Sequence, residues 1–344
     1  MGRNEIDTTN GSTAKKDWTR ILPGLVISFI SLAIVFYFAD IRQMATALRL
    51  ADYRLIAAGV ALSLLWLAIR GVAWRTLLQE KATFRQVFIT VNEGYLLNNI
   101  LPLRLGEVGR AFLLGRKAGL GFWHVFSSIL IERALDMALA AGLLLSTLPF
   151  VVGADWALQA AVAAGSMVTA GLIILYFLAR NHRWTIQQFE KLGARSPFLH
   201  KLGGKRLDAF LSGLAVLTEG SLFFKAVIWI VFDWGIAIIQ YYVLLLAFFP
   251  QGEFLWAAFS LGVVALGIAA PSSPGAVGVM ELSLVGALTL FNLDPSVSLA
   301  FALTAHLINY LLTGVLGAYG LAQDGESLSS LYRSVRRIPQ KDSP

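Results

Sequence analysis

Ionisable side chains interrupt stretches of this sequence that are otherwise apolar enough for lipid: Glu93, Arg104, Glu107, Arg110, Glu132, Arg133, Asp136, Asp233, Glu281 and His306. The densest group lies in NNILPLRLGEVGRAFLLGRK, residues 98–117, where Arg104, Glu107 and Arg110 follow Pro102 within a few positions. Such groups are costly at membrane depth and face a cavity or a partner. Arginine suits phosphate because its planar fork donates two parallel hydrogen bonds. A helix that restarts after a broken turn adds oriented N–H donors. With Asn98 and Asn99 at its entry, this stretch is expected to be an anion-binding tip held inside the membrane. In ERALD, Glu132 and Asp136 are four residues apart and share a helical face. Arg133 points about a quarter-turn away, toward Glu107 or Asp136. The competing reading is that these groups only neutralise one another as buried ion pairs. A second tip, APSSPGAVGVME, offers Ser272, Ser273, glycines and backbone amides rather than cations, with Glu281 just beyond it.

Catalytic patterns are lacking. The histidines at 124, 182, 200 and 306 are scattered, with no metal-ligand spacing and no H-E-x-x-H. There is no G-x-S-x-G, no Gly-rich nucleotide loop, and no cysteine to form a disulfide, a thiolate site or a thiol nucleophile. No catalytic residue, metal or cofactor is therefore assigned, and the expectation is a protein that is not an enzyme. His306, alone on an apolar helix, reads first as a satisfied buried residue.

The elements that position these residues are membrane spans. Of the 344 residues, 57% are hydrophobic and only 14% charged, with mean hydropathy +0.68, where a soluble chain is about a quarter charged. A helical span needs roughly 20 apolar residues, and six are drawn: 21–39, 54–74, 123–150, 155–179, 225–249 and 295–321. Two more apolar regions, 86–118 and 254–292, are broken near the middle, by Asn98, Asn99 and Pro102 and by Pro271 to Gly275. Proline and glycine free backbone groups that lipid cannot satisfy, so such breaks belong against protein or a water-filled cavity. The first region is expected to be a re-entrant hairpin. The second is either another hairpin or two thin spans. Residues 1–19 read as a disordered cytoplasmic tail, 20–322 as one polytopic domain, 180–222 as a cytoplasmic amphipathic loop, and 323–344 as a cytoplasmic tail.

Lys and Arg in short loops set the orientation. With both termini cytoplasmic, the clusters before 21, after 74, at 116–117, through 180–206 and after 332 all fall inside; only Arg42, Arg49 and Arg54 do not. The net charge of +7 then meets anionic lipid headgroups and needs no nucleic acid. Under this orientation an offset of 174 relates Glu107 to Glu281, Glu132 to His306, Asn98-Asn99 to Ser272-Ser273, and span 54–74 to 228–248. The order span, broken hairpin, span recurs upside down, over about 54–150 and 228–321. Inverted repeats with broken helices are a transporter signature. This relation is what raises His306 to a site candidate.

NNILPLRLGEVGRAFLLGRKAG, SSILIERALDMA, APSSPGAVGVMELSL and LTAHLINYLLTGVLGAYGL together resemble the transmembrane-region family of lysylphosphatidylglycerol synthase. This is the flippase-like domain of the multiple peptide resistance factor and its stand-alone relatives. The resemblance runs from about residue 20 to 322. It implies translocation of a lipid, a phospholipid or an isoprenoid one, between leaflets of a bacterial cytoplasmic membrane. Because the sequence stops at Pro344, the aminoacyl-transfer chemistry of the bifunctional relatives is expected to be absent. The expectation is thus an all-α integral membrane protein of about six spans and two re-entrant hairpins, moving a phosphate-bearing lipid. Arg104, Arg110 and Arg133 would compensate the headgroup, while Glu107, Glu132, Asp136 and Glu281 balance them or take a coupling proton. Two alternatives stay open: an integral-membrane enzyme acting on a lipid (pyro)phosphate, and a non-transporting partner of a lipid-modifying enzyme. A homo-oligomer also stays open.

Overall fold

The computed structural model describes residues 10–101, 105–152, 157–193, 204–269 and 273–325. All its regular structure is helical: α1 (Asn10–Phe38), α2 (Ile41–Leu50), α3 (Tyr53–Leu77), α4 (Phe84–Ile100), α5 (Gly106–Lys117), α6 (Phe122–Val152), α7 (Ala157–Arg180), α8 (His182–Gly193), α9 (Lys205–Gly213), α10 (Gly220–Leu246), α11 (Phe254–Gly267), α12 (Val279–Thr289) and α13 (Pro295–Gln323). Four of these, α3, α6, α10 and α13, are long and apolar enough to cross a bilayer, and the α1–α2 pair, bent by 83°, makes five. The sixth expected span, 155–179, falls on α7. Large apolar side chains such as Phe29, Met167, Phe224, Phe232, Leu311 and Val315 are exposed. Lipid, rather than water, is the solvent such a surface requires.

Two differences from the sequence expectation stand out. Helix α1 begins at Asn10, because no Gly or Pro interrupts residues 12–22; the tail expected over 1–19 is helical in its second half. The connection after the first span is itself a helix, α2, started by Asp40, whose carboxylate accepts from the N–H groups of Arg42 and Gln43. It buries no residue fully. Arg42 and Arg49 therefore lie on a surface helix, which explains why they disobey the loop charge pattern.

Both broken regions turn back on themselves. Gln86 near the start of α4 donates to the carbonyl of Lys117 at the end of α5 (3.1 Å). Lys117 also meets Glu93 (2.6 Å) and Asp324. In the second region Trp256 near the start of α11 stacks on Phe291 just past α12 (5.6 Å). Each pair of arms thus leaves on the side it entered, and the arms of the second, 14 and 11 residues long, are too short to cross a bilayer, so 254–292 is a hairpin rather than two spans. The arms of the first approach so closely that a Cβ on Gly106 would strike the carbonyl oxygen of Gly94 and the Asn98 side chain. In the second, Gly275 and Gly278 turn the chain at positive φ (67° and 87°), conformations glycine adopts freely.

Helices α3 and α10 share the most extensive interface and run antiparallel. The Asp52 N–H meets the Ala247 carbonyl at one end (3.0 Å), Arg70 meets Asp233 (3.1 Å), and Lys225 meets Glu80 (2.5 Å) at the other end. The remaining contacts are reciprocal. α6 packs on α11, the entering arm of the second hairpin, and α13 packs on α4, the entering arm of the first. Likewise α2 packs on α13 and α9 on α6. The antiparallel α3 and α10 stand at the centre of this exchange.

Candidate functional site

The polar groups form two clusters, one from each half. In the first, Arg70 on α3 reaches three carboxylates: Asp136 (3.0 Å) and Glu132 (3.3 Å) on α6, and Asp233 on α10 (3.1 Å). Arg110 on α5 donates to both oxygens of Glu132 (2.8 and 3.3 Å), with its guanidinium 4.0 Å from the centre of the Trp74 ring. Arg133 meets Glu132 (2.7 Å) and Asp136 (3.6 Å) through Nη2. Trp234 Nε1 donates to Asp136 (3.1 Å). Three arginines thus face three carboxylates among the described residues, a balance that makes burial tolerable. They are not equivalent. The Arg110 side chain is 2% exposed and sits behind the cavity wall. Arg70 commits both Nη groups to its carboxylates and leaves only Nε without a partner among the described residues. Arg133 is 35% exposed, and its Nη1 has no hydrogen-bond or ion-pair partner among the described residues.

The second cluster joins the two hairpin tips to the middle of α13. His306 Nδ1 lies 2.5 Å from Glu281 Oε1 on α12, and its Nε2 lies 3.0 Å from the Gly275 carbonyl oxygen. One turn on, the Tyr310 hydroxyl donates to the Asn99 carbonyl (2.9 Å), and the Asn99 amide donates to Thr313 Oγ1 (3.1 Å). Asn98 Oδ1 accepts from the Gly106 N–H (2.8 Å), satisfying the first free donor of α5. Glu281 also accepts from the Gly278 N–H (2.7 Å) at the start of its own helix.

Between the clusters lies a cavity of about 490 Å³. Its wall carries Asn98, Asn99, Glu107, Arg133, Asp136, Ser273 and His306 of the residues anticipated from sequence. Glu132 and Glu281 stand behind it as partners of wall residues, with Arg110 behind Glu132 in turn. Arg104, Pro102 and Ser272 lie outside the described residues. Asn98 and Asn99 have structural bonds as well as cavity exposure, a dual role their residue type did not reveal. Sequence reading missed Arg70, the hub of the first cluster, and the aromatic wall of Trp66, Tyr95, Trp234, Tyr241 and Tyr310. A signal for Arg70 existed: it is a guanidinium well inside the apolar segment 54–74. The aromatic residues carried none, since Trp and Tyr in a span pack or face lipid equally well.

Helices that bury ion pairs beneath a lipid-facing surface, with paired re-entrant hairpins closing on a polar cavity, define a polytopic integral membrane protein. The profile of the lysylphosphatidylglycerol synthase transmembrane region matches residues 21–317, and the chain belongs to that family. It is 24% identical to Glycosyltransferase AglD of Haloferax volcanii across 99% of this chain, but spans only 61% of that protein. It is 25% identical to a UPF0104 membrane protein of Methanothermobacter thermautotrophicus, covering 84% of this chain and 91% of the relative. A UPF0104 membrane protein of Methanocaldococcus jannaschii is 22% identical, with 85% and 91% covered. No solved structure matches the chain.

Proposed function

We propose that the chain moves a phosphate-bearing lipid between the leaflets of the cytoplasmic membrane. The observation that carries this reading is the free guanidinium edge of Arg133 in the cavity wall. Arg70 and Arg110 are committed to carboxylates, whereas Arg133 can still donate from Nη1 to an anion. The cavity meets both hairpin tips near mid-depth: Asn99 and Gly275 bond to residues 310, 313 and 306 of a helix running from 295 to 323. A headgroup there would be shielded from hydrocarbon while its acyl chains stay in lipid. Orientation follows from charge. The face that joins Glu80 to Lys225 and Gln79 to Ser212 carries Arg75, Lys81, Arg85, Arg116, Lys117, Lys205 and Arg206, and is assigned to the cytoplasm.

The test is reconstitution of the purified chain into phosphatidylglycerol-containing vesicles with a fluorescent phosphatidylglycerol probe, followed by external quenching. Wild-type protein should render both leaflets quenchable, and Arg133→Ala should slow this at least tenfold, the loss that about 1.4 kcal/mol of binding represents. Probe confined to one leaflet with wild-type protein present would refute the reading. The likeness to a protein named as a glycosyltransferase favours a second reading, in which the chain serves a lipid-modifying enzyme without moving lipid. The same vesicles separate the two.

A further inference from the structure

We propose that His306 and Glu281 form a proton-carrying site that couples lipid movement to a pH gradient; this rests on the transport reading above. Hydrogen-bond accounting supplies the starting point. Both ring nitrogens of His306 face acceptors: Nε2 faces the Gly275 carbonyl oxygen and Nδ1 faces a Glu281 carboxyl oxygen. A carbonyl accepts only, so Nε2 carries a proton. The Nδ1–Oε1 contact then needs a second proton, held either as imidazolium with carboxylate or as neutral imidazole with carboxylic acid. Either way the pair holds one proton beyond that of neutral imidazole and carboxylate.

Losing that proton has a defined structural result. Neutral imidazole has a single N–H, so it can donate to Gly275 or to Glu281 but not to both. One contact must break, and one of the two is the tie between α13 and the second hairpin tip. Proton loss to the cavity, which His306 lines, therefore loosens either that tip or the α12–α13 junction. Nothing nearby substitutes for the lost charge. The other titratable groups around the pair are Tyr310 on α13 and Tyr241 on α10, and among the described residues no Lys or Arg pairs with Glu281. Tip and proton are thus held by the same imidazole. A device that only anchored the tip could use a neutral amide.

The experiment imposes a gradient of one pH unit across vesicles of phosphatidylglycerol and phosphatidylethanolamine. Valinomycin and equal potassium hold the potential at zero, and the probe is fluorescent phosphatidylglycerol. The quantity read is the steady ratio of probe between leaflets, which does not depend on how fast a variant works. One proton per lipid supports a ratio up to about tenfold, and the wild type should depart clearly from one. Glu281→Gln and His306→Gln should each return the ratio to one. A wild-type ratio of one with probe equilibrating freely overturns the coupling and leaves transport standing. Probe that never crosses overturns both. Either folded variant keeping the wild-type ratio overturns the assignment to this pair. The wild-type result needs no variant to fold, and proton uptake read by trapped pyranine checks it independently.

Discussion

Among the residues, the arginines divide by what already occupies them. Arg70 neutralises carboxylates from two helices; Arg70→Leu leaves Glu132 and Asp136 to Arg110 and Arg133 but strands Asp233, which has no other ion-pair partner among the described residues. Breaking a buried pair costs about 3–5 kcal/mol, and the thermal midpoint in detergent should fall steeply. Arg133 is a third exposed, and Arg70 and Arg110 still pair with the carboxylates it leaves, so its loss should cost less than that of Arg70. Its replacement should spare the melting curve while suppressing lipid movement. If Arg133→Ala unfolds the protein as Arg70→Leu does, the distinction between a structural and a substrate-facing arginine is wrong. Sequence could name ERALD because Glu132 and Asp136 are local to one helix. It could not rank Arg110 against Arg133, because only the position of Trp74, thirty-odd residues upstream, decides which guanidinium is covered.

Among the elements, the hairpins depend on near contact between their arms. A methyl group on Gly106 meets the Gly94 carbonyl and Asn98, so Gly106→Ala should destabilise by about 1–3 kcal/mol, as overpacking does. Asn98→Ala removes the acceptor for the first N–H of α5 and should cost about 1 kcal/mol. Chemical denaturation of the two variants checks both, with the glycine change expected to be the larger. The breaks themselves were legible, since Pro and Gly in the middle of an apolar run stop a helix from continuing through lipid. That 254–292 turns back inside the membrane was not, because its composition suits two spans equally well. The lengths of its two helices, 14 and 11 residues, decide it, each short of the roughly 20 a span needs. Helix α2 was missed for the opposite reason. It is ten residues long, and a short polar connection and a short surface helix share a composition.

For the molecule as a whole, the antiparallel pairing of α3 and α10 is directly testable, because the chain has no native cysteine. Cysteines at positions 80 and 225 should crosslink with a short bifunctional reagent, whereas 52 and 225 should not. Impermeant labelling of intact cells should reach position 52 and spare position 80; the reverse would invert the assigned orientation. The hydrogen bond from Lys225, and then its charge, hold the Glu80 carboxyl below its ordinary value of 4.5. A lowered carboxylate stabilises the fold above that ordinary value and loses the contribution as pH falls through the lowered one. The stability gap between wild type and Glu80→Gln should therefore be present at neutral pH, shrink in acid, and shrink in high salt because the pair is exposed. Finally, α7 contributes no residue to the described cavity wall, yet the architecture cannot do without it. Between the end of α3 and the start of α10, which meet on one side, the first hairpin returns and α6 departs. One further crossing is required to bring the chain back. Helix α7 serves as a parity bit: it keeps the number of traverses between the halves even. A chain lacking it would deliver α10 from the wrong side, parallel to α3, with Asp233 still near mid-depth but the two hairpins entering from the same leaflet and no longer meeting tip to tip.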